Sequence, residues 1–344
     1  MEQLRGGLRA AAAVLLGVTA LALGLQLAGY EAGDALAALW RGAFGSWYAF
    51  ASATLVRAIP LVILGLGVAL AFRAGAFNIG AEGQFYAGAI AATWVGLHAG
   101  RLPAPVALTA AALAATAAGA AWMALPVVLR RRYGVTEVIS TLVLTFVAES
   151  LVSLMVQGPL QESQGIYPQS DMIAPAARLP LIAGTRLHAG ILVALAGAVA
   201  LWYLSARTLW GFRVRAVGAG PRAAAISGRI DAARVTALAL LGSGAIAGLA
   251  GGIEVSGVSY ALFQNLSPGY GFTAIAVALL ARLHPLGVVA TGVLFGALEA
   301  GAGAMQRDAG VPAVAVYVVE AVVILVVILI EAVRRRRAIV EPAG

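Results

Sequence analysis

The sequence of 344 residues contains no cysteine, and all 23 of its Lys-or-Arg positions are arginine. The absence of cysteine excludes disulfide bonds and thiol catalysis, and it leaves the redox compartment undetermined. A Walker A phosphate loop requires a lysine at a fixed position, so this chain does not bind ATP in that way. The three histidines, His98, His188 and His284, lie far apart and match no metal-ligand spacing. The sequence therefore predicts no catalytic residue, no metal site and no bound cofactor.

Charged residues are also scarce, at 11% of the sequence, whereas soluble domains carry about 25%. Hydrophobic residues make up 61%, and the mean hydropathy is +0.93. Such a composition predicts a chain that is solvated largely by lipid. The net charge of +8 comes from arginines that flank apolar runs, so it indicates membrane orientation and not nucleic-acid binding.

Long apolar runs follow one another along the chain and predict an all-α, polytopic transmembrane helical bundle with about ten spans (8–10). We expect a single transmembrane domain over residues 1–344, and an uncleaved first helix instead of a cleaved signal peptide. Residues 31–48 are expected to be a short polar connection. The predicted runs are residues 10–29, 50–72, 84–98, 104–129, 134–157, 190–206, 235–256, 272–283, 286–304 and 313–333.

Clusters of arginine set the predicted orientation, because cytoplasmic loops are enriched in basic residues. Arg130–Arg132, the six arginines of residues 207–234 and Arg334–Arg337 all fall on one side if the chain crosses ten times. This arrangement places both termini in the cytoplasm. It makes residues 158–189, which contain four prolines, an external loop.

Polar residues interrupt the apolar pattern at Asn78, Glu82 and Gln84, with Gly80 and Gly83 among them. Unsatisfied polar groups are costly in hydrocarbon, so the cluster is expected to face the bundle interior or a water-filled path. Glycines weaken a helix and favour the broken helices of transport sites. The alternative is a cytoplasmic loop with a polar turn. The short run 272–283 lies in the other half of the chain and is a candidate partner in a pair of broken helices.

Acidic residues also occur in or near other apolar runs. Thr136 and Glu137 are expected to cap the helix that follows them, although a functional role for Glu137 stays open. Glu254 falls at a predicted span end, where water is close. Three further acids, Glu149, Glu299 and Glu320, lie deeper, and they raise the alternative of proton relays.

Small residues suggest two further local structures. Gly244, Gly248 and Gly252 recur every four residues and predict a smooth helix face for close packing in the membrane. In the basic segment 207–234, Pro221 and Gly228 suit the start and stop of a short helix. That segment is either a loop lying on lipid headgroups or a docking element.

Three segments resemble one family of membrane proteins. The stretch Arg73–Gln84, the run Glu137-Val-Ile-Ser-Thr141 and the loop Gly211–Gly228 are similar to permeases of ABC importers for nucleosides and simple sugars, within the branched-chain amino acid and ribose permease superfamily. The resemblance covers residues 50–333. It implies a permease in the bacterial cytoplasmic (inner) membrane that forms the translocation path and uses ATP hydrolysed by a separate ATPase.

The same resemblance implies partners and a docking element for the ATPase, whereas the substrate-path candidates follow from the polar residues themselves. The partners are an ABC ATPase, an extracytoplasmic substrate-binding protein and a second homologous permease, in a heterodimer or a homodimer. Candidates for the substrate path are Asn78, Glu82, Gln84 and Asn265, and candidates for ATPase coupling in the loop 207–234 are Gly218, Pro221, Arg222, Ala224, Ser227 and Gly228.

Two other function classes are alternatives to an ABC permease. An ion-coupled secondary transporter would use the intramembrane glutamates as proton relays, whereas the ABC interpretation predicts that these acids are structural or lie at a subunit interface. An intramembrane enzyme lacks support, because the sequence has no histidine pair, no cysteine and no convincing Gly-x-Ser-x-Gly motif. No residue pattern selects between nucleosides and simple sugars.

Overall fold

A computed structural model describes Thr19, residues 22–27 and residues 29–312. Most of the predicted first span lies outside these residues. The predicted tenth span, 313–333, also lies outside them, together with Glu320 and Arg334–Arg337. The described chain divides into two compact units, one formed by residues up to Thr54 and from Gly296 onward, the other by Leu55–Phe295.

Most of the described residues are helical, as predicted, and in them β-structure is limited to two isolated bridges, Gln169 with Phe263 and Leu181 with His188. Residues 22–27 are helical, and eleven further helices follow. They are α1 Ala32–Phe44, α2 Trp47–Arg73, α3 Ala81–His98, α4 Ala104–Tyr133, α5 Glu137–Val156, α6 Gly190–Arg207, α7 Leu209–Ala219, α8 Pro221–Gly228, α9 Ala232–Glu254, α10 Tyr270–Leu280 and α11 Pro285–Ala309.

Within the described ranges, 6 helices are long and apolar enough to cross a membrane, namely α2, α4, α5, α6, α11 and α9 with its π-helical extension to Ser259. The predicted run 84–98 corresponds to α3, whose first turn carries Glu82 and Gln84. The predicted run 272–283 corresponds to α10, which has 11 residues. These two helices and the two runs at the chain ends make up the difference from the expected ten, so that count is not confirmed.

Residues 31–48 are not the short polar connection that we expected, because most of them form α1. Ala32, Ala35 and Ala38 share one face of this helix and are buried together with Leu25 and Met305. Alanine has the highest helix propensity and allows close approach. The two acids Glu31 and Asp34 had obscured this pattern.

Helix α3 lies at the centre of the unit Leu55–Phe295, in contact with α4, α5 and α9. Glycines bring these helices together: a side chain at Gly88 would collide with the Gly248 carbonyl oxygen, and one at Gly248 with the Ala115 carbonyl oxygen. A Cβ atom on Gly244 would lie 2.6 Å from the Met123 Cβ atom. The predicted close packing of the glycine face of α9 is therefore confirmed.

Candidate functional site

The backbone between α2 and α3 is broken at the predicted position. Helix α2 ends at Arg73, Gly75 adopts a left-handed conformation with φ of 71°, and α3 begins at Ala81. Asn78, Glu82 and Gln84 are 0%, 2% and 1% exposed, respectively. Such burial favours the broken-helix interpretation over a polar turn in a cytoplasmic loop.

Two amide side chains, those of Asn78 and Gln84, form hydrogen bonds across the break. The Asn78 Nδ2 atom donates to Gln84 Oε1 at 2.8 Å, and Gln84 Nε2 donates back to Asn78 Oδ1 at 3.0 Å. Asn78 also donates to the Ser243 hydroxyl oxygen at 2.9 Å and accepts from the Gly80 backbone N–H at 3.1 Å. Since the polar groups of this pair are satisfied within the protein, the geometry favours a role in holding the broken helix together.

Glu82 joins the two short or broken segments that the sequence had singled out. Its carboxylate accepts a hydrogen bond from the backbone N–H of Gly271 in the first turn of α10, and Ser267 lies within hydrogen-bonding reach. Because Glu82 itself lies in the first turn of α3, one carboxylate serves two helix N-termini, where the helix dipoles favour negative charge. A side chain at Gly271 would collide with the Glu82 backbone.

Glu137, in the first turn of α5, forms a hydrogen bond with the backbone of the break. Its Oε1 atom accepts from the Phe77 backbone N–H at 3.1 Å and forms an ion pair with Arg130 at 2.9 Å. The Thr141 hydroxyl accepts from the Ile79 N–H at 3.3 Å. Glu137 lies in the first turn of α5 as predicted, but the prediction that Thr136 caps this helix is wrong, because its side chain accepts no capping bond. The ion pair and the bond to Phe77 were not foreseen.

A polar pocket of about 270 Å³ opens between α3, α5 and the segment that precedes α10. Asn265, a predicted path residue, lines this pocket, whereas Asn78, Glu82 and Gln84 do not. Its lining consists of Tyr86, Glu149, Ser150, Val152, Ser153, Gln264 and Asn265.

An electrostatic interaction between a buried acid and an arginine was also missed from the sequence. Glu254 was expected close to water at a span end, but it is 6% exposed and interacts electrostatically with Arg57 in α2. The two residues are far apart in sequence, and no local pattern pairs them. Arg57 is only half-buried, so Glu254 is the buried member of the pair.

The segment 207–234 contains the predicted short helix, α8, from Pro221 to Gly228. The helix ends at Gly228, as predicted, and the next residue, Arg229, adopts a left-handed conformation with φ of 48°. Ala224 faces inward at 5% exposure, whereas Ile226 is 84% exposed. The other candidates on α8 are Arg222 and Ser227.

Gly218, at the end of α7, connects this segment to the broken helix. A side chain at Gly218 would collide with the Arg73 carbonyl oxygen, and its Cβ atom would lie 3.4 Å from the Gly75 nitrogen. The segment 207–234 therefore contacts the last residue of α2 directly before the break that leads to Asn78.

The sequence is similar to that of known permeases. Residues 50–330 match the family model described as branched-chain amino acid transport system / permease component. A glucose ABC transporter permease protein of Haloferax volcanii is 42% identical over 82% of this chain and 77% of its own length. A guanosine ABC transporter permease protein of Bacillus subtilis is 38% identical over 92% of this chain and 91% of its own.

A third relative, a nucleoside ABC transporter permease protein of Lactococcus lactis, is 31% identical over 79% of this chain and 77% of its own length. No solved structure matches the chain. The family match and the six apolar helices together describe a multi-pass membrane protein. The chain belongs to the branched-chain amino acid transport system permease family and is a permease subunit of an ABC importer.

Proposed function

We propose that this permease imports nucleosides, or a related simple sugar, across the cytoplasmic membrane, with both termini inside. The support comes from the guanosine, nucleoside and glucose permeases that it resembles. ATP hydrolysis takes place on a separate ATPase subunit, and a substrate-binding protein delivers the solute to the face that carries residues 158–189.

The single observation that carries the coupling proposal is the contact of Gly218 with Arg73. Helix α8 follows Gly218 after two residues and presents the exposed Ile226 on a basic segment. An ATPase that binds α8 would move α7, and Gly218 would pass that movement to the end of α2. The broken helix with Asn78 would then respond to ATP binding through direct packing.

A second permease chain fits the exposed face of α5. Several large apolar side chains project from this helix, and Glu149 lies exposed among them. A carboxylate facing hydrocarbon is costly, by about 2.5 kcal/mol or more, so we place water against Glu149 and the second permease against the apolar side chains of this face. The apolar residues on it are Ile139, Val143, Phe146, Val147 and Leu154.

The docking of α8 is tested with Ala224→Pro. Proline removes a helical hydrogen-bond donor, and here the Ala224 N–H donates to the Gly220 carbonyl. We expect the variant to reach the membrane at the normal level and to lose the ATPase in co-purification. Arg222→Ala is the matched control on the same helix, and it should keep most of the ATPase because docking depends mainly on shape. Unchanged co-purification of Ala224→Pro would exclude α8 as the docking element.

A further inference from the structure

The pocket beside Glu149 lies within the membrane part of α5. Glu149 is 12 residues beyond the helix start at Glu137, which corresponds to about 18 Å at 1.5 Å per residue. The carboxylate therefore lies beyond the middle of the helix, toward the end that leads into residues 158–189. Among the described residues, no group donates a hydrogen bond to this carboxylate or to the Asn265 side chain.

The walls of the pocket are held in place by bonds that do not involve Glu149. The Ser153 hydroxyl oxygen accepts from Gln157 Nε2 at 2.7 Å and from Gln264 Nε2 at 2.6 Å. The Tyr86 hydroxyl donates to the Ser267 carbonyl oxygen at 3.4 Å. Asn265 has a left-handed backbone with φ of 59°, which asparagine tolerates better than most residues. The pocket is thus preformed, and Glu149 and Asn265 are part of its lining.

The polar groups of the pocket suit an uncharged solute that carries hydroxyl groups. The Ser153 hydroxyl oxygen already accepts hydrogen bonds from Gln157 and Gln264. Its hydroxyl proton can therefore be donated to a solute oxygen. In its ionised form the Glu149 carboxylate accepts hydrogen bonds and donates none. Its two oxygens can accept hydrogen bonds from two neighbouring hydroxyl groups. Glu82 lies close enough to interact electrostatically with Glu149, and the lining contains no basic side chain. An anionic solute would be repelled.

We propose that Glu149 and Asn265 form a binding site for an uncharged solute with a vicinal diol, in which the Glu149 carboxylate accepts a hydrogen bond from each of the two hydroxyl groups. The proposal rests on the proposed import function and names the chemical group that the path recognises. The volume of about 270 Å³ lies near the lower end of ligand pockets, which span roughly 300–1,000 Å³, so it suits a small solute. Ribonucleosides and hexoses carry the diol, whereas 2′-deoxynucleosides lack it.

The absence of cysteine allows a direct test that needs neither ATPase nor transport. In Ser150→Cys the introduced thiol is the only one in the chain, and its rate of reaction with a soluble maleimide reports access to the pocket. The full-length variant in lipid nanodiscs is labelled in the presence of guanosine, D-glucose, 2′-deoxyguanosine or guanosine monophosphate. Ile166→Cys, in the exposed part of residues 158–189, is the control for effects of the solutes on labelling itself.

We expect guanosine, D-glucose or both to slow labelling of Ser150→Cys at least threefold, with little effect of 2′-deoxyguanosine or the monophosphate. Adding Glu149→Gln should remove that protection, and Asn265→Gly, which keeps the left-handed backbone, should weaken it. An unreactive thiol, the absence of protection by either diol, equal protection by 2′-deoxyguanosine, or protection that survives Glu149→Gln would each overturn the proposal. None of these outcomes would contradict the proposed import function, because that function is tested separately by ATP-driven uptake.

Discussion

The α-carbon of Gly218 lies so close to the Arg73 carbonyl oxygen that any side chain would collide with it. Arg73 is the last residue of α2, and Asn78 lies five residues further along the chain, in the break. The basic segment 207–234 and the polar cluster, which are separate motifs in the sequence, therefore form one continuous packing path.

The first prediction concerns this contact. Gly218→Val should lower solute uptake about tenfold or more, because overpacking typically costs about 1–3 kcal/mol and displaces backbone. ATPase binding should be retained, since α8 itself is unchanged. The measurement compares ATP hydrolysis with uptake in proteoliposomes of the assembled transporter.

Gly220→Ala is the matched control for Gly218→Val. A Cβ atom at Gly220 would make only an ordinary contact, 3.7 Å from the Ala223 Cβ atom. Uptake by Gly220→Ala should stay close to that of the unmodified protein. Normal coupling in Gly218→Val would show that the contact with Arg73 does not transmit movement.

A second prediction separates the charge of Glu82 from its hydrogen bonds. Glu82→Leu leaves the Gly271 N–H without its acceptor, and an unsatisfied buried donor costs about 1–3 kcal/mol. The thermal midpoint of this variant in detergent should fall. Glu82→Gln keeps an acceptor oxygen, so it should be the more stable of the two.

Uptake by Glu82→Gln then decides whether the charge matters. The carboxylate serves two helix N-termini, which favour negative charge, and we expect the amide to reduce uptake while the protein still folds. Normal uptake by Glu82→Gln would discard a role for the charge. Equal thermal midpoints for Glu82→Leu and the unmodified protein would contradict the structural role.

The third prediction is a pH dependence from His188, which precedes α6. Burial lowers the pKa of the His188 imidazole from 6.5 to about 4. Its Nδ1 atom accepts from the Gly190 backbone N–H at 3.2 Å, which requires the neutral ring. The unfolded chain takes up a proton near pH 6.5 and the folded chain only near pH 4, so stability falls as the pH drops between these two values.

This dependence can be measured as the thermal midpoint, or as the rate of proteolysis in residues 158–189, at pH 7 and pH 5. His188→Gln has no group that titrates in this range and should show a smaller change between the two pH values. Identical pH profiles for the variant and the unmodified protein would contradict the assignment.

Local sequence patterns predicted the short helix α8, the glycine packing face of α9 and the break before α3. Pro221 and Gly228 marked a short helix, and Gly248 marked a packing face, because proline and glycine constrain the backbone or its approach to neighbours. The polar residues around Gly80 marked the break, since lipid penalises unpaired polar groups.

Long-range pairings were beyond the reach of these patterns. Glu82 and Gly271 are 189 positions apart, and Arg57 meets Glu254 only after α2 and α9 have packed. The polar pocket was likewise not predicted, although Asn265 and Glu149 were singled out separately, because its lining comes from three separate segments. Helix α1 was missed for a different reason, namely that two acids masked its buried alanine face.

The central claim, that a separate ATPase powers import through this chain, is tested most directly in right-side-out vesicles. The vesicles contain the permease with its ATPase, its partner permease and its binding protein, and guanosine is supplied outside. We predict concentrative uptake when ATP is enclosed, and none when a proton gradient is imposed without ATP. Accumulation driven by the proton gradient alone would contradict the account.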